Sequence, residues 1–162
     1  MEIIEYNKKY EEDCKDLLVE LEEYIVSIDE DELDQVGENY REKMLDFDLD
    51  DINKAQGKCY IAIENDKAIG LIMGKKRIYD EEDYLDYKCP EAGVITELIV
   101  TNKVRSTGTG KALMQKIEEY LKSIGCKYIF IDVFAYNTNA ENFYNKGGYH
   151  TRMKTIVKKV ED

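Results

Sequence analysis

One histidine, His150, and three serines, Ser27, Ser106 and Ser123, leave this chain little from which to build the common nucleophilic centres. None of the serines lies in a nucleophile-elbow sequence, which argues against covalent serine chemistry. The four cysteines, Cys14, Cys59, Cys89 and Cys126, are scattered and contain no Cys-x-x-Cys pair. With one imidazole in the chain, a zinc site or a Cys-His pair lacks material, so reduced and mostly buried thiols are expected. Positive charge is also short. Against 35 acidic residues stand 23 Lys and Arg, a formal net charge of -12, and contact with nucleic-acid phosphates needs a basic surface. No apolar run approaches membrane-spanning length, and residues 1–10 lack the cationic and apolar pattern of a leader, so a soluble cytoplasmic protein acting off the membrane is expected. Linkers, repeats and low-complexity segments are missing as well. At 162 residues, 43% of them hydrophobic, with 13 Tyr and no Trp, the chain reads as a single domain spanning 1–162.

What is present centres on residues 94–111. The run Val94-Ile-Thr-Glu-Leu-Ile-Val100 is dense enough in β-branched and aliphatic residues for a strand buried on both faces. Glu97 stands inside it, where an ionised carboxylate is costly unless paired, hydrated or put to use. After it come Arg105, Gly108 and Gly110 as Arg-x-x-Gly-x-Gly, directly before a helical pattern beginning near Lys111. Strand, glycine loop and helix in that order make an anion site, because the first helical N–H groups have no intrahelical partner and the glycines let a bulky phosphate approach. Arg105 adds a fixed positive charge. The spacing does not fit a Walker A loop, which needs glycine where Arg105 stands and Ser or Thr where Ala112 stands. Nor does it fit a dinucleotide fingerprint, whose third glycine would fall at Leu113.

In chain order, residues 2–6 read as a first strand. A long amphipathic helix at 8–28 buries Cys14, Leu17, Leu18, Leu21, Ile25 and Ile28. A weaker helix carries Val36, Tyr40, Met44 and Phe47 and is closed by the acidic cluster Asp46, Asp48, Asp50 and Asp51. That cluster is not an EF-hand, since its sixth and twelfth positions are Asp51 and Gly57. Strands at 59–64 and 68–79 join at Asn65-Asp66. An acidic loop at 80–90 leads into the central strand, and the following helix stops at Gly125. Residues 127–135 predict another core strand with Asp132 embedded in it, then a short helix at 137–146, Gly147-Gly148 and a closing strand at 149–160. The order β-α-α-β-β-β-α-β-α-β predicts an α/β or mixed α+β sheet flanked by helices.

Glu-Leu-Ile-Val (97–100), Arg105-Ser-Thr-Gly-Thr-Gly110-Lys-Ala-Leu-Met114 and Asn137-Thr-Asn-Ala140-Glu-Asn-Phe-Tyr144, ending in Gly147-Gly-Tyr149, together resemble the GNAT superfamily of N-acetyltransferases. The likeness covers about residues 58–149 in correct order and spacing. It implies a GNAT-like fold whose central mixed sheet splays into a V-shaped cleft for acetyl-CoA, between the strands of Glu97 and Asp132. It further implies that backbone groups of Leu98, Ile99 and Val100 pair with the pantetheine arm. Amides of Ser106, Thr107, Gly108, Thr109, Gly110 and Lys111, with Arg105, would hold the pyrophosphate, and Asn137 would touch the cofactor from the other side. Tyr144 falls at the family's general-acid tyrosine. Glu97 matches the base position of some members and Asp132 that of ribosomal-protein N-terminal acetylating members; the longer arm of Glu97 favours it.

The resemblance therefore implies N-acetyl transfer from acetyl-CoA to a primary amine by direct attack in a ternary complex, with no metal. An ammonium must lose its proton before it attacks a thioester, and a carboxylate in an apolar pocket is a stronger base. The acceptor is expected to be a small-molecule or peptide amine of cationic type, since acidic runs at 29–34, 46–51 and 80–86 fall in segments that the resemblance puts around its entrance. A homodimer is compatible with the sequence. Two other readings stay open: a non-catalytic CoA-binding regulatory domain, and an acidic protein-interaction module.

Overall fold

The computed structural model describes residues 1–104 and 107–161. In order the chain forms β1 (Glu2–Glu5), a 3₁₀ turn at Lys8–Tyr10, α1 (Glu11–Ile28), α2 (Tyr40–Lys54), β2 (Lys58–Glu64), β3 (Lys67–Lys76) and the short α3 (Asp83–Asp86). Then follow β4 (Ala92–Val100), a 3₁₀ turn at Asn102–Val104, α4 (Thr109–Ser123), β5 (Tyr128–Ile131) and α5 (Thr138–Lys146). Two compact units hold these elements, Met1–Asp132 and Val133–Asp162.

In the first unit the five strands lie in sequence order, β1 to β4 antiparallel and β5 parallel to β4. The expected hairpin is present: Asn65 and Asp66 both take left-handed φ values, 51° and 61°, as a two-residue turn between twisted strands requires. On one sheet face, α1 and α2 bury Cys14, Leu17, Leu18, Leu45 and Ile52 against Cys59, Ile61, Leu71, Met73 and Ile99. On the other, α4 lies unusually close. A Cβ at Gly74 would sit 2.8 Å from Ile117, and one at Gly93 would sit 2.7 Å from Leu121. Strand glycines are thus spent on admitting helical side chains at four-residue spacing.

Strands β3 and β4 lose register at one point: Met73 faces Glu97 while Gly74 faces Ile95, so Thr96 is an extra residue. A bulge of this kind re-aims side chains. Cross-strand partners share a face. Glu97 therefore shares the α1/α2 face with Met73, and by counting alternate residues up from Gly93 and Ile95 on the α4 face, Thr96 points the same way.

Three boundaries differ from expectation. Helix α2 does not end at the acidic cluster but runs through it, because Leu45 and Ile52, 1% and 2% exposed, hold one face in the core while Asp46, Asp50 and Asp51 face solvent. Strand β5 stops at Ile131, and Asp132 lies past it and exposed, not embedded in a core strand. Only four β5 residues find ladder partners on β4, and beyond them the apolar run has no register to follow. The closing strand at 149–160 is not formed either. Among the described residues of its own unit α5 is the sole regular element, and a strand needs a neighbour for its N–H and C=O groups.

Candidate active site

Helix packing turns two carboxylates toward the bulged part of β4, where a third stands. On α1, Glu22 lies four residues beyond the buried Leu18, on the same stripe. On α2, Asp48 lies between Leu45 and Ile52 and so faces inward. Tyr40, the first residue of α2, joins the helices by donating its hydroxyl to Glu22 Oε2 at 3.5 Å. Glu97 completes the group from the strand.

These groups titrate abnormally. Burial pushes the Glu97 carboxyl up to about 8, and the charges of Asp48 and then Glu22 add to the effect. Burial also raises Asp48 to about 6, helped by Asp51. Glu22 is raised by burial and by Asp34, while the Tyr40 hydrogen bond opposes the shift. The Tyr40 phenol is driven up by burial and then by Glu22, Glu97 and Asp48. Asp48 ionises before Glu97, so Glu97 must give up its proton beside an existing negative charge. At neutral pH Glu97 is a protonated acid poised to become a base.

A second feature lies along the same strand. The ladder of β4 with β3 continues to Val100, whereas the ladder with β5 stops at Ile95–Ile131. Past that point the β5-facing side of Glu97, Leu98 and Ile99 lies outside the ladder. Just beyond β4, α1 ties down the chain: Glu20 accepts from the Thr101 hydroxyl at 2.9 Å and from the Asn102 N–H at 2.6 Å.

The glycine loop then enters α4. Gly108 is its N-cap with φ of 88°, a conformation that strains any residue with a Cβ. The first intrahelical bond runs from Ala112 N–H to the Gly108 carbonyl at 3.0 Å, so the amides of Thr109, Gly110 and Lys111 take no intrahelical acceptor. No side chain caps this end and no acidic residue lies in its first turn, yet Lys111 does. A cation there opposes the helix dipole unless an anion is bound. The Thr107 hydroxyl, bonded to the Val104 carbonyl at 2.8 Å and paired with the Thr109 hydroxyl at 2.8 Å, stiffens the entry. Arg105 and Ser106 lie outside the described residues.

In the second unit, Asn137 is the N-cap of α5 and accepts from Ala140 N–H at 3.1 Å. Tyr144 is half-buried, edge-on to Phe143 and Tyr149 at centroid distances of 5.4 and 6.0 Å. Of the two carboxylates singled out in the sequence, only Glu97 sits in a half-buried acidic group; Asp132 does not. Glu22, Tyr40 and Thr96 are not site residues in the sequence reading, and Asp48 enters it only within the acidic run 46–51. The signal for Glu22 and Asp48 is a polar residue at helix positions spaced three or four from Leu18, Leu45 and Ile52, which becomes meaningful only once both helices dock.

Within the expected acidic runs, Asp29 and Asp83 serve the backbone and Asp51 an ion pair. Asp29 accepts from the amides of Asp31, Leu33 and Asp34, and Asp83 accepts from Asp80 N–H at 2.7 Å. Asp51 pairs with Lys75 at 2.6 Å. Burial raises all four thiols, Cys14 to about 12 and Cys59 well above the usual range, so none is a ready thiolate.

The family described as Acetyltransferase (GNAT) matches residues 22–149. No curated protein sequence matches the chain. Among solved structures, a mutant of the BH1408 protein from Bacillus halodurans is similar at 18% identity and a TM-score of 0.83, covering 99% of this chain and 100% of that one. An acetyltransferase of Trypanosoma brucei is similar at 16% identity, with a TM-score of 0.68 and coverages of 98% and 99%. The aminoglycoside N-acetyltransferase AAC(6')-Iy, solved in complex with CoA, is similar at 17% identity and a TM-score of 0.67, over 99% of this chain and 100% of that one. At these identities the solved structures speak for the fold.

Proposed function

The chain belongs to the acetyltransferase (GNAT) family, and from that premise we propose that it moves the acetyl group of acetyl-CoA to the nitrogen of a primary amine, by direct attack in a ternary complex. The observation that carries this reading is the half-buried carboxyl of Glu97, pushed up to about 8 beside the bulge of β4. A raised carboxylate pKa serves one purpose well here: it narrows the gap to an alkylammonium of pKa about 10.4, from which a proton must be taken.

In this scheme Glu97 accepts the ammonium proton, directly or through a water. The nitrogen lone pair then forms the C–N bond at the thioester carbonyl. Collapse of the tetrahedral centre breaks the C–S bond, and the departing thiolate takes the phenolic proton of Tyr144. The open amides of Thr109, Gly110 and Lys111, with the Lys111 ammonium, suit the pyrophosphate of the donor, and the β5-facing edge of Leu98 and Ile99 suits its amide-bearing arm. Arg105, Ser106, Asn137 and Tyr144 enter on the family resemblance alone. The raised thiol pKa values support direct attack over an acetyl-cysteine intermediate. Asp132, exposed beyond β5, is the weaker base candidate.

The test is release of CoA thiol from acetyl-CoA across a panel of amines, comparing the native chain with Tyr144→Phe. The variant should lose about a hundred- to ten-thousandfold in kcat with little change in KM for acetyl-CoA. A turnover within about twofold of the native chain assigns the acid role to water or another group. No thiol release with any amine would return the protein to the class of CoA-binding regulatory domains.

A further inference from the structure

Resting on that reading of the site, we propose that the acceptor carries two cationic centres, as an aliphatic diamine or polyamine does, one nitrogen reacting at Glu97 and the second held by Asp48 and Glu22.

Charge balance leads to this acceptor. Glu22, Asp48 and Glu97 face one another from α1, α2 and β4, and among the described residues none of them forms an ion pair. Neighbouring acids on the same helices do: Asp51 holds Lys75, and Glu12 and Asp16 share Arg41. A reacting ammonium surrenders its proton, and with it its charge, to Glu97. It cannot then neutralise the other two carboxylates. A second positive centre on the same molecule can.

Independent of the charges, two polar atoms in this group are buried and take no hydrogen bond: Asp48 Oδ2 and Thr96 Oγ1. A buried acceptor without a partner is costly and uncommon. One comes from the inward face of α2, the other from the bulge residue beside Glu97, and both are met by an N–H-bearing cation. The Tyr40 hydroxyl, already donating to Glu22 Oε2, keeps that carboxylate turned toward the group. Of the next charges, Asp51 near Asp48 is already paired with Lys75, and Asp34 near Glu22 is negative and favours a dication further. From β3 the facing residue is Met73, which is uncharged.

The experiment measures kcat/KM for 1,4-diaminobutane and for butylamine, equal in chain length and differing in one ammonium, with 1,3-diaminopropane to 1,6-diaminohexane setting the spacing. The diamine should be preferred by about tenfold or more, the worth of one charge-assisted hydrogen bond. Asp48→Asn and Glu22→Gln, made separately, should each pull the ratio toward two, the statistical factor for two equivalent amines. Calorimetry of 1,4-diaminobutane binding at pH 7, in buffers of differing ionisation enthalpy, should register proton release that is smaller in Asp48→Asn. Thiol release with butylamine and diaminobutane at a ratio of two or below, unaltered by either substitution, overturns the dication assignment and leaves amine acetylation standing. Thiol release with no amine overturns both.

Discussion

Glu97 shows how one residue acquires chemistry from its surroundings. Its carboxyl binds a proton more tightly in the folded chain, near 8, than the ordinary value of 4.5. The stabilisation linked to it is therefore fully present below the unfolded value and is lost as pH rises through the folded one. Native protein should weaken between pH 5 and pH 9 relative to Glu97→Gln, by on the order of 1–3 kcal/mol after discounting for partial exposure. Urea unfolding of both proteins at pH 5, 7 and 9 reads this directly; parallel curves would mean that Glu97 ionises normally. If Glu97 is the base, kcat/KM of the native chain should rise through about pH 8 as its carboxylate becomes available, and the same substitution should remove that rise.

At the scale of elements, α4 has opposed demands at its first turn. Lys111 is unfavourable to the helix alone and favourable to a bound pyrophosphate, so Lys111→Glu should separate the two. The dipole term predicts a helix steadier by about 0.3–1 kcal/mol and a higher Tm. Affinity for CoA should fall about tenfold or more, as a charge-assisted contact becomes a repulsion. Thermal melting and calorimetric titration with CoA check the pair. Unchanged CoA affinity would remove this helix end from the donor site. Helix α2 carries a related lesson: its aspartates looked like a helix terminus in the sequence, yet Leu45 and Ile52 hold the turn they occupy and direct Asp48 inward. The register loss at Thr96 has the same character, since nothing in the run Val94–Val100 distinguishes a bulged strand from a regular one.

For the whole molecule the dominant quantity is a net charge of -12. Such a field draws cationic acceptors toward the protein and is screened by salt. The value of kcat/KM for 1,4-diaminobutane should fall several-fold as added salt shortens the Debye length from about 30 to 8 Å, while kcat stays nearly level. An acceptor rate indifferent to salt would reduce the acidic surface to a solubility device. No helix among the described residues is long and apolar enough to cross a membrane. Much of this was legible in the linear chain. Helical periodicity located α1 and α4, Asn65-Asp66 located the hairpin, and one acid in an apolar run marked Glu97, because these are local consequences of pattern and conformational preference. The glycine loop and the ordered motifs pointed to the acetyltransferase (GNAT) family, whose model matches residues 22–149. Tertiary structure alone decided which acids are enclosed. Asp132 and Glu97 look alike as sequence, each a carboxylate among aliphatic residues, but the ladder with β4 ends at Ile131, leaving Asp132 exposed, while two helices close over Glu97. Burial and mutual charge are properties of packed neighbours from α1, α2 and β4, which stand far apart in the chain, so no local pattern encodes them.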